Sequence, residues 1–234
     1  MTQERTITLL MPTYNEVDGL TATLKDLDQT LVDKVLIVDA GSTDGTLELA
    51  ARHNVEVVMQ RRKGLAFAVF DAINDNIDTD CVIEFSPDGN CMCDQLPELV
   101  AKIREGYDLA VVSRYLPPAK SYDDTPISAF GNWMFTKLFS SLGKFPVTDS
   151  LTIYRGFDCN IAKTKEFEKL LYGPVFEPLV TAMAQIKGMK IVEIPGDEPE
   201  RIGGETKRSI IYNGSCCLLM WFRSAVYKLT KLAI

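Results

Sequence analysis

The sequence predicts an α/β protein with a mostly parallel sheet flanked by helices, and three observations predict it. Short runs rich in Ile, Val and Leu alternate with longer amphipathic stretches through the first half of the chain, which is the pattern of strands joined by crossover helices. Polar and Gly-bearing segments follow these runs, as they do where ligands gather at the carboxyl edge of a parallel sheet. The chain has 234 residues, 46% hydrophobic and 24% charged, so one domain is expected to bury its core without a disulfide or metal staple.

Strands are expected at 7–11, 35–38, 55–59, 81–85 and 109–112, each an apolar run too short for a helix. Between and after them, 19–30, 43–52, 64–74, 95–105 and 129–142 carry Leu, Ala or Phe every three or four residues and read as helices. The second half predicts a strand at 151–154, a helix at 177–187 and a strand at 190–194. PGDEPERIGGETKRS follows, and its Pro, Gly and charge read as a mobile loop. Residues 210–232 form one last helix: Leu218, Phe222, Ala225, Leu229 and Leu232 fall on one stripe, with Arg223, Lys228 and Lys231 nearby. The domain proper is thus 1–208. The helix at 209–234 packs on it, on a second copy in a homodimer, or on a membrane surface.

Charge narrows the partners. Lys and Arg total 25 against 32 Asp and Glu, a net charge of −7, which disfavours tracking along a nucleic-acid backbone. The six cysteines and an opening MTQERTITLL without signal-peptide features read as a reduced, cytoplasmic protein, with peripheral contact at the inner face of the membrane kept open by the last helix. Cys91-x-Cys93 has no second pair at ligand spacing, and the single histidine is His53, so a structural zinc is not expected. No run approaches the ~20 apolar residues of a membrane span.

Four expected strand ends carry the chemistry: PTYNE after the first, DAGSTDGT after the second, SPDGN after the fourth and SRY after the fifth. Asp39 can accept from a base or sugar, whereas Ser42 and Asp44 suit the start of the next helix. Arg61, Arg62 and Lys63 precede Gly64 at a helix start, which suits a diphosphate. Asp88 and Asn90 lie two apart in a turn made possible by Pro87 and Gly89. Both oxygens can face one hard cation such as Mg²⁺ or Mn²⁺, which binds through few carboxylates plus substrate phosphates.

The ordered set PTYNE, IVDAGSTDGT, RRKGLAFA, PDGN, VSRYL, GNW, TDSLTIYRGF, FEPLV and ERIGGETK resembles the inverting family-2 glycosyltransferases of GT-A fold, and among them the polyprenyl-phosphate (dolichol-phosphate) sugar transferases. The resemblance implies that Pro12, Thr13, Tyr14, Glu16, Asp39, Lys63 and Gly64 hold the nucleotide of a UDP- or GDP-linked sugar. It implies Asp88 and Asn90 as ligands of Mg²⁺ or Mn²⁺, Arg201 and Lys207 on phosphate, and Arg114 near the acceptor.

Three residues depart from the family pattern. Ala40 replaces an aspartate of the nucleoside loop, Asn90 replaces the second metal carboxylate, and Asp124 stands where the polyprenyl-phosphate enzymes tend to carry arginine. The last bears on the nucleophile. A lipid phosphate is already anionic, whereas a hydroxyl acceptor needs a base, for which Asp149 and Glu177 are the candidates. Lipid phosphate is the expected acceptor, with a glycan or metabolite hydroxyl as the alternative. A nucleotidyltransferase would instead release pyrophosphate, and a noncatalytic nucleotide-sugar binder would give no turnover.

Overall fold

The structure, a computed structural model, describes residues 4–202 and 210–232. Lys207, one of the expected phosphate ligands, lies outside the described residues. Seven strands form one sheet in the order β3-β2-β1-β4-β6-β5-β7. β1 (Ile7–Thr13) pairs in parallel with β2 (Lys34–Asp39) and β4 (Cys81–Glu84), and β3 (Glu56–Met59) extends the parallel half beyond β2. On the other side, β6 (Arg155–Asp158) runs antiparallel to both β4 and β5 (Leu109–Ser113), while β7 (Ile191–Pro195) is parallel to β5.

Period-two alternation assigns the two faces. Leu9, Met11, Ile37, Ile83 and Ala110 point to one, where α1 (Val17–Asp26), α2 (Thr46–Arg52) and α4 (Leu96–Arg104) cover them with Leu20, Leu49 and Leu99. Leu10, Leu36, Val82 and Leu109 point to the other. That face is covered by α3 (Leu65–Asp75), α5 (Pro126–Ser140), α6 (Lys165–Leu170), α7 (Glu177–Lys187) and α8 (Ile210–Leu232).

Several expectations need correction. The strand expected at 151–154 is β6, four residues later, because Asp149 Oδ1 accepts from the Leu151 and Thr152 amides and turns the chain before it joins the sheet. α2 starts at Thr46 behind Gly45, whose φ is 103°, and its first amide donates to Asp44 Oδ1 at 3.0 Å. Ser42 therefore caps nothing. α5 starts at Pro126, earlier than expected, because Thr125 and Ser128 form a reciprocal capping box. α6, absent from the sequence reading, is six residues long and is capped by Thr164. The last helix has the expected span, but Leu218, Phe222 and Leu229 of its expected stripe are exposed. It packs on α5 and α7 through buried Cys216, Cys217 and Met220, and the Trp221 indole N–H donates to the Leu138 carbonyl at 2.8 Å.

Candidate active site

Because β1, β2 and β4 all end on one edge, the loops that follow them meet there, and a cleft of about 1120 Å³ opens between those loops and α5, α7 and α8. Pro12, Thr13, Tyr14, Glu16, Lys63, Gly64, Asp88, Asn90, Arg114, Glu177 and Arg201 all line it. Asp39 and Asp149, fully buried, stand behind its walls.

Asp39 organises the loops that follow β1 and β2. Its Oδ1 accepts from the Gly41 and Ser42 amides, both at 2.7 Å, and its Oδ2 accepts from the Thr13 and Ser42 hydroxyls at 2.8 and 2.6 Å. The same loops are stitched by the Asn15 amide to Ser42 Oγ and by the Thr43 amide to Asn15 Oδ1. Asp44 accepts from the Val17 and Thr46 amides. This web holds Tyr14 at the mouth, more than half exposed. Arg61 and Arg62, expected beside Lys63, turn away: both pair with Asp71, so Lys63 is the member of that run that lines the cleft.

The turn after β4 sits against α1. A Cβ on Gly19 would lie 2.3 Å from the Pro87 carbonyl oxygen, so glycine is what admits the helix this close. Asp88, nearly buried, accepts from the Asn90 amide at 3.2 Å and pairs with Arg201 Nη2 at 3.2 Å. Asn90 Nδ2 donates to Asp123 Oδ2 at 3.0 Å and, more weakly, to Glu198 Oε1 at 3.5 Å. Its Oδ1 is buried without a partner. Burial first, and then the neighbouring Asp88 charge, push the Glu16 carboxyl up to about 7 against the opposing pull of Arg201.

The segment expected as a mobile loop is pinned across this turn as far as Ile202. The Glu198 amide donates to the Lys120 carbonyl, the Tyr122 amide to the Glu198 carbonyl, and the Ile202 amide to the Asp88 carbonyl at 2.7 Å. The Glu198 carboxylate accepts from Arg114 Nη1 at 3.1 and 3.2 Å and from the Ser121 hydroxyl.

Arg114 lines the cleft with its guanidinium already engaged. Nε and Nη2 donate to Asp149 at 2.6 and 3.0 Å, and Nη1 holds Glu198. Burial alone would raise Asp149, but the adjacent Arg114 outweighs it and holds the carboxyl below its ordinary value. Asp149 is thus an ionised, fully bonded anchor. Glu177, at the start of α7, faces the cleft; its Oε2 accepts from the Phe176 amide at 3.0 Å. Beneath it the fully buried Arg155 donates to the Glu177 carbonyl at 2.8 Å and the Thr181 hydroxyl at 2.9 Å. Glu84, opposite Arg155 in the sheet register, has both oxygens buried without a partner. Burial, and then the charge of Glu177, push it well above the ordinary carboxylate value, against the opposing pull of Arg155. Across the cleft the Tyr115 hydroxyl donates to Asp124, and Asn132 Nδ2 donates to Tyr115 Oη at 2.7 Å and to Asp124 Oδ1 at 3.3 Å.

Sequence reasoning missed Glu198, Asp123, Glu84 and Arg155. For Glu84 a signal existed, since it is a charge inside an otherwise apolar strand run, whereas Arg155 stands just past the apolar residues Ile153 and Tyr154. Glu198 and Asp123 lie in charge-rich loops, and nothing in their spacing distinguishes them from solvated residues.

A sequence model described as Glycosyl transferase family 2 matches residues 8–164. Glycosyltransferase AglJ of Haloferax volcanii is 27% identical over 222 residues, covering 94% of this chain and 72% of that protein. Undecaprenyl-phosphate mannosyltransferase of Micrococcus luteus is 29% identical over 212 residues, covering 86% of each chain. The fold is shared with glucosyl-3-phosphoglycerate synthase from Mycobacterium tuberculosis, solved in complex with Mn²⁺, UDP and glucosyl-3-phosphoglycerate. That comparison has a TM-score of 0.68 at 18% identity and covers 94% of this chain and 80% of that one.

Proposed function

The chain belongs to glycosyl transferase family 2 and has the GT-A fold, and from that premise we propose that it moves a sugar from a nucleoside diphosphate to a polyprenyl phosphate, with inversion. One observation carries the reading: the loops after β1 and β4, Lys63 and Arg201 converge on one cleft whose far wall is built by α5, α7 and α8. The Micrococcus luteus relative, which acts on undecaprenyl phosphate, supports the acceptor class.

The donor set at the β4 turn fits a hard divalent cation. Asp88 supplies a carboxylate, and Asn90 Oδ1 is a buried acceptor that no protein donor satisfies. The Mn²⁺ and UDP of the solved neighbour support a divalent ion and a UDP-linked donor, with GDP as the other base to compare and Mg²⁺ as the other ion. A cation held by Asp88 and Asn90 would supply positive charge against the diphosphate as it departs. Tyr14, Glu16 and the Asp39-organised loop bind and orient the nucleoside, and Lys63 and Arg201 face the phosphates. A phosphate oxygen of the acceptor attacks the anomeric carbon opposite the diphosphate. The new C–O bond forms as the old one breaks, and its electron pair leaves on the diphosphate. An anionic nucleophile needs no base, consistent with an Asp149 already committed to Arg114.

A hydroxyl acceptor is the second reading, favoured by Glu177, Asp123 and Asp124 on the acceptor wall; Glu177 would then take the proton. Lipid approach is supported by α5 and α8. Ile127, Phe130 and Trp133 on α5 and Leu218, Phe222 and Leu229 on α8 each expose more than half their surface. No acidic residue follows Glu205, against five basic ones, Lys207, Arg208, Arg223, Lys228 and Lys231. We read this as a peripheral contact with an anionic membrane at its inner face; no helix among the described residues is long and apolar enough to cross one. A second copy covering the same face would instead appear as a dimer in sedimentation velocity.

The test is a thermal-shift screen of UDP- and GDP-linked sugars with and without Mn²⁺, followed by transfer assays with labelled donor and a polyprenyl phosphate. A donor at about 100 times its Kd adds roughly 2.7 kcal/mol, and label should enter the organic phase. Label found only in water-soluble glycan would replace the acceptor, and full activity in Asp88→Ala would remove the cation site.

A further inference from the structure

Asp88 lies in an acid-rich pocket beside Glu16, and among the described residues its one ion-pair partner is Arg201, at 3.2 Å. The strap from Glu198 to Ile202 puts that guanidinium there by backbone and packing as well as by charge. The Ile202 amide is bonded to the Asp88 carbonyl, and the Ile202 side chain fills the space over Gly89, where a Cβ would meet it at 2.6 Å. Gly89 has a φ of 93°, so both the space and the backbone there require glycine.

The contact is nevertheless incomplete. An arginine that settles permanently on a carboxylate usually makes two parallel bonds, as Arg114 does with Asp149. Arg201 reaches Asp88 through Nη2, and its Nε is buried with no partner at all. A buried donor without an acceptor is unfavourable, and a phosphate oxygen is the acceptor that a guanidinium fork fits best. The same turn holds a second unsatisfied atom, Asn90 Oδ1. The two orphans are complementary to different halves of one ligand: the oxygen to a cation, the N–H to the diphosphate that carries it.

We propose that Arg201 is a resident counter-ion of Asp88 that a divalent cation displaces, so that cation and nucleoside diphosphate bind as one cooperative unit. This rests on the reading of Asp88 as a cation ligand given above. In the free protein the guanidinium neutralises Asp88 and opposes entry of a bare cation. When the cation arrives with a diphosphate, Arg201 gives up Asp88 and its Nε and Nη groups turn to the phosphate oxygens, which removes the unsatisfied donor. The coupling is reciprocal: the nucleotide raises cation affinity by the same factor by which the cation raises nucleotide affinity.

Mn²⁺ binding, followed by the electron paramagnetic resonance of free Mn²⁺, tests this on the full chain alone, with UDP and with GDP. Arg201→Gln should bind Mn²⁺ without nucleotide about two- to fivefold more tightly than the parent, the scale of a partly exposed ion pair removed. The factor by which UDP or GDP strengthens Mn²⁺ binding should shrink at least as much. Arg201→Lys, which keeps the charge, should bind Mn²⁺ alone as weakly as the parent. Unchanged or weaker Mn²⁺ binding by Arg201→Gln overturns the exchange. Asp88→Asn binding Mn²⁺ as well as the parent does overturns the cation site itself, separately.

Discussion

Replacing Arg114 by Met keeps most of the side-chain length and removes the charge, which isolates what the guanidinium does. In the structure it makes two bonds to the fully buried Asp149, at 2.6 and 3.0 Å, and two to Glu198, at 3.1 and 3.2 Å. Removing one partner of a buried ion pair strands the other, at about 3–5 kcal/mol. Asp149 keeps its bonds from the Leu151 and Thr152 amides, so the lower end, about 3 kcal/mol, is expected. For a chain of this size that is roughly a 10 °C fall in Tm. Urea denaturation should show the same loss, and Arg114→Met with Asp149→Asn should cost less than the two single changes added together. Turnover should fall because the strap and the Thr148–Thr152 turn lose their common anchor. A variant with Tm within 2 °C of the parent but no turnover would refute this reasoning, since Arg114 would then be acting on the substrate directly.

Three further outcomes are expected. Glu177→Gln should leave transfer to a polyprenyl phosphate within about threefold of the parent, whereas loss of 10²-fold or more, the scale of general-base catalysis, would select a hydroxyl acceptor. Glu16 is raised on folding from 4.5 to about 7, so its contribution to stability is full below pH 4.5 and is lost as pH rises towards 7. Chemical denaturation between pH 4.5 and 8 should show that decline in the parent and a flatter profile in Glu16→Gln. Leu218→Ser with Phe222→Ser should lower co-sedimentation with liposomes containing anionic lipid while leaving Tm within a few degrees; equal sedimentation would remove the membrane contact.

What was legible in the sequence was what repeats or carries a local signature. Parallel strands such as β1 and β2 are buried on both faces, so they read as continuous apolar runs, and their helices show three- to four-residue spacing. The motif loops were legible because strand ends of a parallel sheet share one edge. β6 was misplaced because a side chain, Asp149, turns the backbone just before it, and local propensity does not register that contact. Roles were harder still. Arg114 and Asp149 were both visible as site residues, but their bond to each other is a tertiary fact, and it turns two reactive candidates into one structural pair. Glu198 is the extreme case: a loop glutamate among prolines whose importance comes wholly from the three elements it ties.

The antiparallel β6 also has a bearing on how hybrid enzymes can be assembled. The parallel strands β1 to β4 lie on one side of it and β5 and β7 on the other, so β6 is the seam across which an exchange of halves has to be made. The seam is narrow, running from Cys81↔Asp158 to Glu84↔Arg155. Gly156 sits in it with Ile103 and Ile83 side-chain carbons 2.9 and 3.1 Å from where a Cβ would stand. A chimera that grafts a foreign β5–β7 half therefore has to bring a glycine at this point, or isoleucines trimmed to match. One that does keeps the joint between the two halves of the sheet intact.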